Sequence, residues 1–306
     1  MDRAEPQLQG VYGAPLLELA APAPGAVQLS PLHPGATALE SLSDESLAGA
    51  VALAPPGTVE RRYVLAQLLR ATAPGAPLTL LAPKARGGAR VKAELEAFGC
   101  AVVEDARRHH RIARLRRPAA PADLEAAIAA GGPQRVETLG LWSQPGVFSW
   151  NRLDPGTAAL LAALPPPAGR GADLGCGVGA LALAALASPA VSALLLVDLD
   201  RRAVEAARRN VEDPRARFAW ADLRGEPVAA ELDFVVMNPP FHDGGAEDRA
   251  LGQAFIRAAH RMLRRGGSAW LVANRHLPYE RPLADTFAAV ALRGEAGGYK
   301  VFEARR

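Results

Sequence analysis

Two cysteines in 306 residues, Cys100 and Cys176, are too few for a disulfide framework and match no zinc-ligand spacing. A disulfide-stapled scaffold and a structural metal module are therefore excluded, no metal site is expected, and a reducing cytoplasm is the expected compartment. No apolar run reaches the roughly 18 to 20 residues of a bilayer span. The opening segment MDRAEPQLQG carries acids and lacks the apolar core of a secretory signal, so neither membrane insertion nor export is expected. Lysine is nearly missing: three of the 35 cations are lysines and the rest are arginines. With 26 prolines and 29 glycines spread along the chain, this is an alanine–arginine coding bias and not low complexity. Charged residues, at 22%, are too few for a disordered chain, and 49% hydrophobic content is enough for two cores.

The net charge of +3 decides nothing by itself, but its distribution is uneven. Residues 84–117 hold ten cations (Lys84, Arg86, Arg90, Lys92, Arg107, Arg108, Arg111, Arg114, Arg116, Arg117) against four acids (Glu94, Glu96, Glu104, Asp105). A surplus of this size is the footprint of a polyanionic partner or of a solvated arginine-rich face.

Short β-like runs alternate with amphipathic stretches along the N-terminal half. Residues 26–29, 50–54, 78–82 and 101–104 read as strands, with helices over 59–72 and 89–98, which predicts a small parallel α/β sheet. The stretch RRPAAPADLEAAIAAGGPQ reads as a linker around one short helix and places the boundary near residue 135, giving domains 1–135 and 136–306. The C-terminal half alternates more regularly. Strands are predicted over 172–174, 193–197, 216–220, 234–237 and 269–272, and helices over 156–164, 179–186, 201–211 and 248–263. Arg264-Arg265-Gly266-Gly267 would end the last helix. Crossover helices between strands imply a doubly wound sheet whose ligand lies beyond the carboxyl ends of the strands. Two α/β halves in tandem suggest an old duplication.

In the second half, Asp173-Leu174-Gly175-Cys176-Gly177-Val178-Gly179 runs from a strand end through three glycines into a helix. Glycines let the backbone turn sharply and approach a ligand closely. The next strand ends in Asp198, spaced to bond ribose hydroxyls, and the third ends in Asp222, placed to meet an adenine edge. Together these describe an adenosine pocket, and Asp173 offers an anion to a cationic end such as a methionyl ammonium. Cys176 reads as a small residue in a tight turn. The fourth strand delivers Asn238-Pro239-Pro240-Phe241. The prolines stiffen the exit, and the Asn238 amide oxygen and a backbone carbonyl offer two acceptors to an exocyclic amine. Phe241 offers a face for a base to stack on, worth about 1 to 3 kcal/mol.

These motifs resemble the class I S-adenosylmethionine-dependent methyltransferases, and more closely the bacterial ribosomal RNA guanine-N2 methyltransferases of the RsmC and RlmG type. The likeness is carried by Gly146-Val147-Phe148-Ser149 with Leu153-Asp154-Pro155-Gly156-Thr157, by the segment from Asp173 to Gly179, by Asn238-Pro239-Pro240-Phe241-His242-Asp243-Gly244, by Val272-Ala273-Asn274 with Leu277-Pro278-Tyr279, and by Tyr299-Lys300-Val301. The resemblance implies two tandem Rossmann-like domains: a C-terminal seven-stranded catalytic domain binding S-adenosylmethionine through Asp173, Gly175, Cys176, Gly177, Gly179, Asp198, Asp222 and Asn238, and a degenerate N-terminal copy that grips RNA. Asn238, Pro239 and Phe241 would carry the chemistry. Phe241, His242 and Lys300 would meet the substrate, with Lys84, Arg86 and Arg90 standing where the cofactor glycines would be. The implied partner is 16S ribosomal RNA or the small subunit, met by a monomer, with no membrane and no DNA. Three alternatives remain open on residues alone: a glutamine-N5 protein methyltransferase, an adenine-N6 methyltransferase, and a non-catalytic assembly factor that binds the cofactor.

Overall fold

The computed structural model describes residues 8–239, 242–243, 246–247 and 249–306, the side chains of 242–249 excepted. It divides into two compact units, Met1–Pro133 and Gln134–Arg306. Among the described residues no helix is long and apolar enough to cross a membrane.

The N-terminal unit contains β1 (Leu8–Tyr12), β2 (Val27–Gln28), β3 (Leu47–Leu53), α1 (Thr58–Ala71), β4 (Pro77–Pro83), α2 (Gly88–Ala97), β5 (Val103–Arg107), β6 (His110–Arg116) and α3 (Leu124–Gly131). One six-stranded sheet runs β2-β1-β3-β4-β6-β5. Its core gathers Leu47, Ala52, Leu65, Leu68, Leu69, Leu80, Leu95 and Phe98. Each such apolar side chain, fully buried, contributes about 1.5–3 kcal/mol.

Two expectations fail here. The sheet is not wholly parallel, because β6 lies antiparallel to both β4 and β5. The arginines of HRIARLR conceal this strand: Ala113 and Leu115 are buried and alternate with exposed Arg114 and Arg116, while Ile112 is buried on the opposite face. Nor is the stretch after Arg116 a linker. Its helix α3 joins the core through Ala127, Leu124 and Ile128, and Gly131 lies so close to Tyr63 of α1 that a Cβ there would overlap the ring.

The C-terminal unit opens with a small hairpin, β7 (Gln134–Val136) and β8 (Leu141–Ser143). It continues α4 (Pro155–Ala163), β9 (Gly169–Leu174), α5 (Ala180–Leu186), β10 (Val191–Asp198), α6 (Arg201–Asn210), β11 (Ala216–Trp220) and β12 (Leu232–Met237). A second small hairpin, β13 (His242–Asp243) with β14 (Ala246–Glu247), leads to α7 (Arg249–Met262), β15 (Leu263–Asn274), α8 (Glu280–Ala284), β16 (Ala289–Ala296) and β17 (Tyr299–Arg305). The main sheet has seven strands in the order β11-β10-β9-β12-β15-β17-β16. Strands β9 to β12 and β15 are mutually parallel, and β17 runs antiparallel to both its neighbours. Ala172, Leu174, Val235, Val236 and Met237 are completely buried, which is why residues 234–237 of β12 read as an apolar run. The chain leaves β9 toward β10 on one side and returns to β12 on the other, so a crevice opens beyond the carboxyl ends of β9 and β12.

One boundary differs from expectation. Arg264-Arg265-Gly266-Gly267 does not end α7 but opens β15, where Leu263 pairs with Leu232 and the register shifts before Ser268 meets Phe234. Gly266, at φ +77°, serves this bulge and not a helix cap.

Counted from the switch point, β2-β1-β3-β4-β6-β5 repeats β10-β9-β12-β15-β17-β16 in both order and direction. The N-terminal unit is a degenerate copy that, among the described residues, lacks a counterpart of β11. This equivalence corrects the reading of Lys84, Arg86 and Arg90: they follow β4, the counterpart of β15, so they do not stand where the cofactor glycines would be.

Candidate active site

At the exit of β9, Gly175, Gly177 and Gly179 have φ of +73°, +52° and +90°, the left-handed region that glycine alone enters freely. The bend is held from below: Gly175 N and Cys176 N both donate to Val197 O, at 2.8 and 3.0 Å. Asp198, ending β10, accepts from Gly177 N through Oδ2 at 2.8 Å and from Asp200 N through Oδ1 at 2.9 Å. Asn210 clamps the far side, its Nδ2 donating to Val178 O and Trp142 O, both at 2.9 Å. A Cβ on Gly177 would meet open space, so this face of the bend is free for a ligand.

Two carboxyls beside the bend are displaced from their ordinary range. Asp173 is fully buried and neither of its oxygens has a hydrogen-bond partner. Burial, reinforced by Asp198, pushes it up to about 8. Asp198 is pushed up to about 6, mainly by burial against the pull of the backbone N–H donors. An orphaned buried carboxylate fits a cationic ligand group, which would supply the missing partner. The Cys176 thiol is raised well above its usual value by burial, then by Asp198 and Asp173, which suits a packing role and not a nucleophile.

Opposite the bend stands Asn238, at the exit of β12. Its Nδ2 donates to Asp154 Oδ2 at 2.8 Å and to Thr157 Oγ1 at 2.9 Å, while Pro239 behind it is buried. A Cβ built on Gly175 would lie 4.0 Å from Asn238 O, so the amide corner and the glycine bend are neighbours. Both open onto one cavity, whose lining includes Gly175, Cys176, Gly177, Asp154, Thr157 and Asn238. Exposed Phe148 and half-buried Ser149 line the same cavity, the latter at φ +50°.

Other singled-out residues are not in the lining of that cavity. Asp222 is held by Arg224 through two contacts of 2.9 and 2.8 Å that draw its carboxyl below the usual range. Its neighbours Leu223 and Arg224 line a second cavity of about 350 Å³ with Ala250, Leu251 and Ala254. Lys300 is paired with Glu280 Oε1 at 2.5 Å. Phe241 lies outside the described residues, as does the His242 side chain. Lys84, Arg86 and Arg90 belong to the N-terminal unit, on a short 3-10 turn (Lys84–Arg86) and on α2. Sequence reasoning assigned no role to Asp154, Thr157 or Asn210. Asp154 carried a signal, an aspartate before Pro-Gly-Thr at a helix start; Asn210 carried none.

The family model described as the methyltransferase small domain matches residues 138–303. Ribosomal RNA small subunit methyltransferase C of one Pseudomonas aeruginosa strain is 33% identical over 91% of this chain and 86% of the relative. That of another strain is 35% identical over 80% of this chain and 75% of the relative. The T. thermophilus 16S rRNA N2 methyltransferase RsmC, solved in complex with AdoMet and guanosine, superposes with a TM-score of 0.78 at 26% identity, covering 98% of this chain and 88% of that one. A doubly wound sheet whose glycine bend and Asn238 share one cavity, together with these likenesses, places the chain in the methyltransferase small-domain family, among the ribosomal RNA small subunit methyltransferases C.

Proposed function

We propose that this protein transfers a methyl group from S-adenosylmethionine to the exocyclic N2 amine of a guanine in 16S ribosomal RNA, acting as a cytoplasmic monomer on the small subunit or its RNA. The observation that carries the reading is that Asn238 and the glycine bend line the same cavity, with the Asn238 amide nitrogen already engaged by Asp154 and Thr157. Bound at the bend, S-adenosylmethionine supplies an electrophilic sulfonium methyl. Asp173 receives its ammonium, Asp198 the ribose hydroxyls and Asp222 the adenine edge, while Gly175, Cys176, Gly177 and Gly179 let the backbone come close. Asn238 Oδ1 and an adjoining backbone carbonyl accept the two amine hydrogens, which turns the nitrogen lone pair out of ring conjugation and toward the methyl. Pro239 holds that corner rigid and Phe241 stacks on the base, with His242 and Lys300 as further substrate contacts. Positioning and acceptors suffice, and the proton is lost to water. Swinging the guanine out of its helix costs a few kcal/mol, offset by stacking and by phosphate contacts from Lys84, Arg86 and Arg90.

The test is methyl transfer from labelled cofactor to small subunits, naked 16S RNA and a release-factor fragment, followed by nucleoside analysis. Label on guanine N2 is expected. Label on protein or on adenine, or none at all, overturns the reading. Asn238→Ala should lower turnover by about 10²–10³-fold while leaving cofactor affinity near its original value; retained turnover removes Asn238 from the chemistry.

A further inference from the structure

An asparagine can offer a cavity either its carbonyl oxygen or its amide nitrogen, and the choice decides whether the site receives an amine or a carbonyl. At Asn238 the neighbours make that choice. Asp154 caps α4, its Oδ2 accepting from Thr157 N at 2.9 Å. The same Oδ2 accepts from Asn238 Nδ2 at 2.8 Å, and Thr157 Oγ1 accepts from that nitrogen at 2.9 Å. A carboxylate only accepts, so the amide nitrogen must face it. With both N–H donors spent, Oδ1 is the group left for the substrate.

Each residue of Asp154-Pro155-Gly156-Thr157 has a part in this. Pro155 at the first helical position presets the backbone of the first turn. A Cβ on Gly156 would lie 2.9 Å from the Tyr299 ring and 3.0 Å from Asp154 Oδ2, so glycine is what lets the helix start come this close. The Tyr299 phenol is raised by burial and then by the charge of Asp154.

We infer that Asp154 and Thr157 are positioning residues that hold Asn238 as a dedicated hydrogen-bond acceptor, and thereby select an exocyclic amine over a ring carbonyl at that point. The inference rests on the proposed amine methylation.

The test compares wild type with Asp154→Ser combined with Thr157→Val, and with Asn238→Asp alone and combined with Asp154→Asn. Serine keeps the helix cap but not the reach to Asn238. The Ser/Val variant should lose about 10–100-fold in single-turnover rate on RNA, with cofactor affinity and melting temperature little changed. Asn238→Asp sets two carboxylates together and should be at least as slow. Adding Asp154→Asn restores a donor between them and should recover about tenfold, a recovery that a merely structural role does not give. An undiminished rate in the Ser/Val variant overturns the inference, as does a loss matched by weaker cofactor binding or a lower melting temperature, or a swap without recovery. Wild type that leaves guanine N2 unmethylated overturns the function reading itself, whereas active wild type with unaffected variants overturns this inference alone.

Discussion

After β12 the chain leaves the sheet as Asn238-Pro239-Pro240-Phe241; after β3, its counterpart in the N-terminal unit, it leaves as Ala54-Pro55-Pro56-Gly57. At the first strand of each unit, Val11-Tyr12-Gly13 stands where Asp173-Leu174-Gly175 stands, and both glycines have φ +73°. The first glycine of the bend and the double proline persist, while the acid, the amide and the later glycines are gone. Something else fills the N-terminal corner. Arg61 on α1, fully buried, donates through Nη1 to Pro55 O at 3.2 Å and Pro56 O at 2.8 Å, and through Nε and Nη2 to Glu94 at 2.6 and 2.7 Å. Where Asn238 lines a cavity in the C-terminal unit, the N-terminal unit satisfies its proline carbonyls with an internal cation. The first glycine's φ and the double proline are shared, and what stands around them differs between the two units.

The largest effect expected from breaking this contrast is on stability. Arg61→Met leaves Glu94 buried without its partner and should cost about 3–5 kcal/mol in urea unfolding. Arg61→Met with Glu94→Leu should regain most of that, because an apolar pair of similar volume replaces the ion pair. A single variant that costs under about 1 kcal/mol would show that the guanidinium is not what closes the corner.

Asp173 gives the opposite case, a group held against stability. Its folded value of about 8 lies above the ordinary 3.8, so between these pH values the folded protein keeps a proton that the unfolded chain releases. Stability therefore falls as pH rises through that window, by up to about 1.4 kcal/mol per pH unit, and levels off above it. Asp173→Asn should flatten this slope, raise the unfolding free energy at neutral pH by about 2–4 kcal/mol, and weaken cofactor binding. Val11 at the equivalent N-terminal position is what remains where no ligand needs the acid. A variant with the wild-type slope between pH 5 and 8 would move the burden to Asp198, whose smaller shift acts in the same direction.

How far the sequence revealed all this depended on whether a feature is local. Glycines at positive φ, a double proline after an apolar run and acids at strand ends are local properties, so the bend, the corner and Asp198 could be read directly. Strand β6 and its pairing with β5 could not, because five arginines in HRIARLR and its approach outweighed the apolar positions among them. The packing of α3 was hidden for a different reason: an alanine- and glycine-rich helix looks like a spacer until its small residues are found against Tyr63. Least legible were contacts distant in sequence. Asp154 and Asn238 are 84 residues apart, and Asn210 reaches Trp142 across 68. No spacing rule links them, and only the closing of the sheet makes them neighbours.

The smallest effect sharpens the division between the units. Of the ten cations in residues 84–117, Lys92, Arg107, Arg108, Arg111 and Arg117 pair with Glu96, Asp105, Glu18, Glu104 and Glu45. Lys84, Arg86, Arg90, Arg114 and Arg116 have no carboxylate partner among the described residues; the first three follow the carboxyl end of β4 and the other two lie on β6. Paired cations have their charge largely cancelled, so counterion release on RNA binding should come from the unpaired ones. Replacing Lys84, Arg86 and Arg90 by alanine should reduce the slope of log Kd against log salt by about two to three and weaken RNA binding about tenfold at moderate salt. Replacing Arg107 and Arg111 should change the slope by less than about one, and neither set should alter the single-turnover rate at saturating RNA. An unchanged slope in the triple variant would make the tract a solvated face, and a lowered saturating rate would show that the N-terminal unit shapes the chemistry as well as the grip.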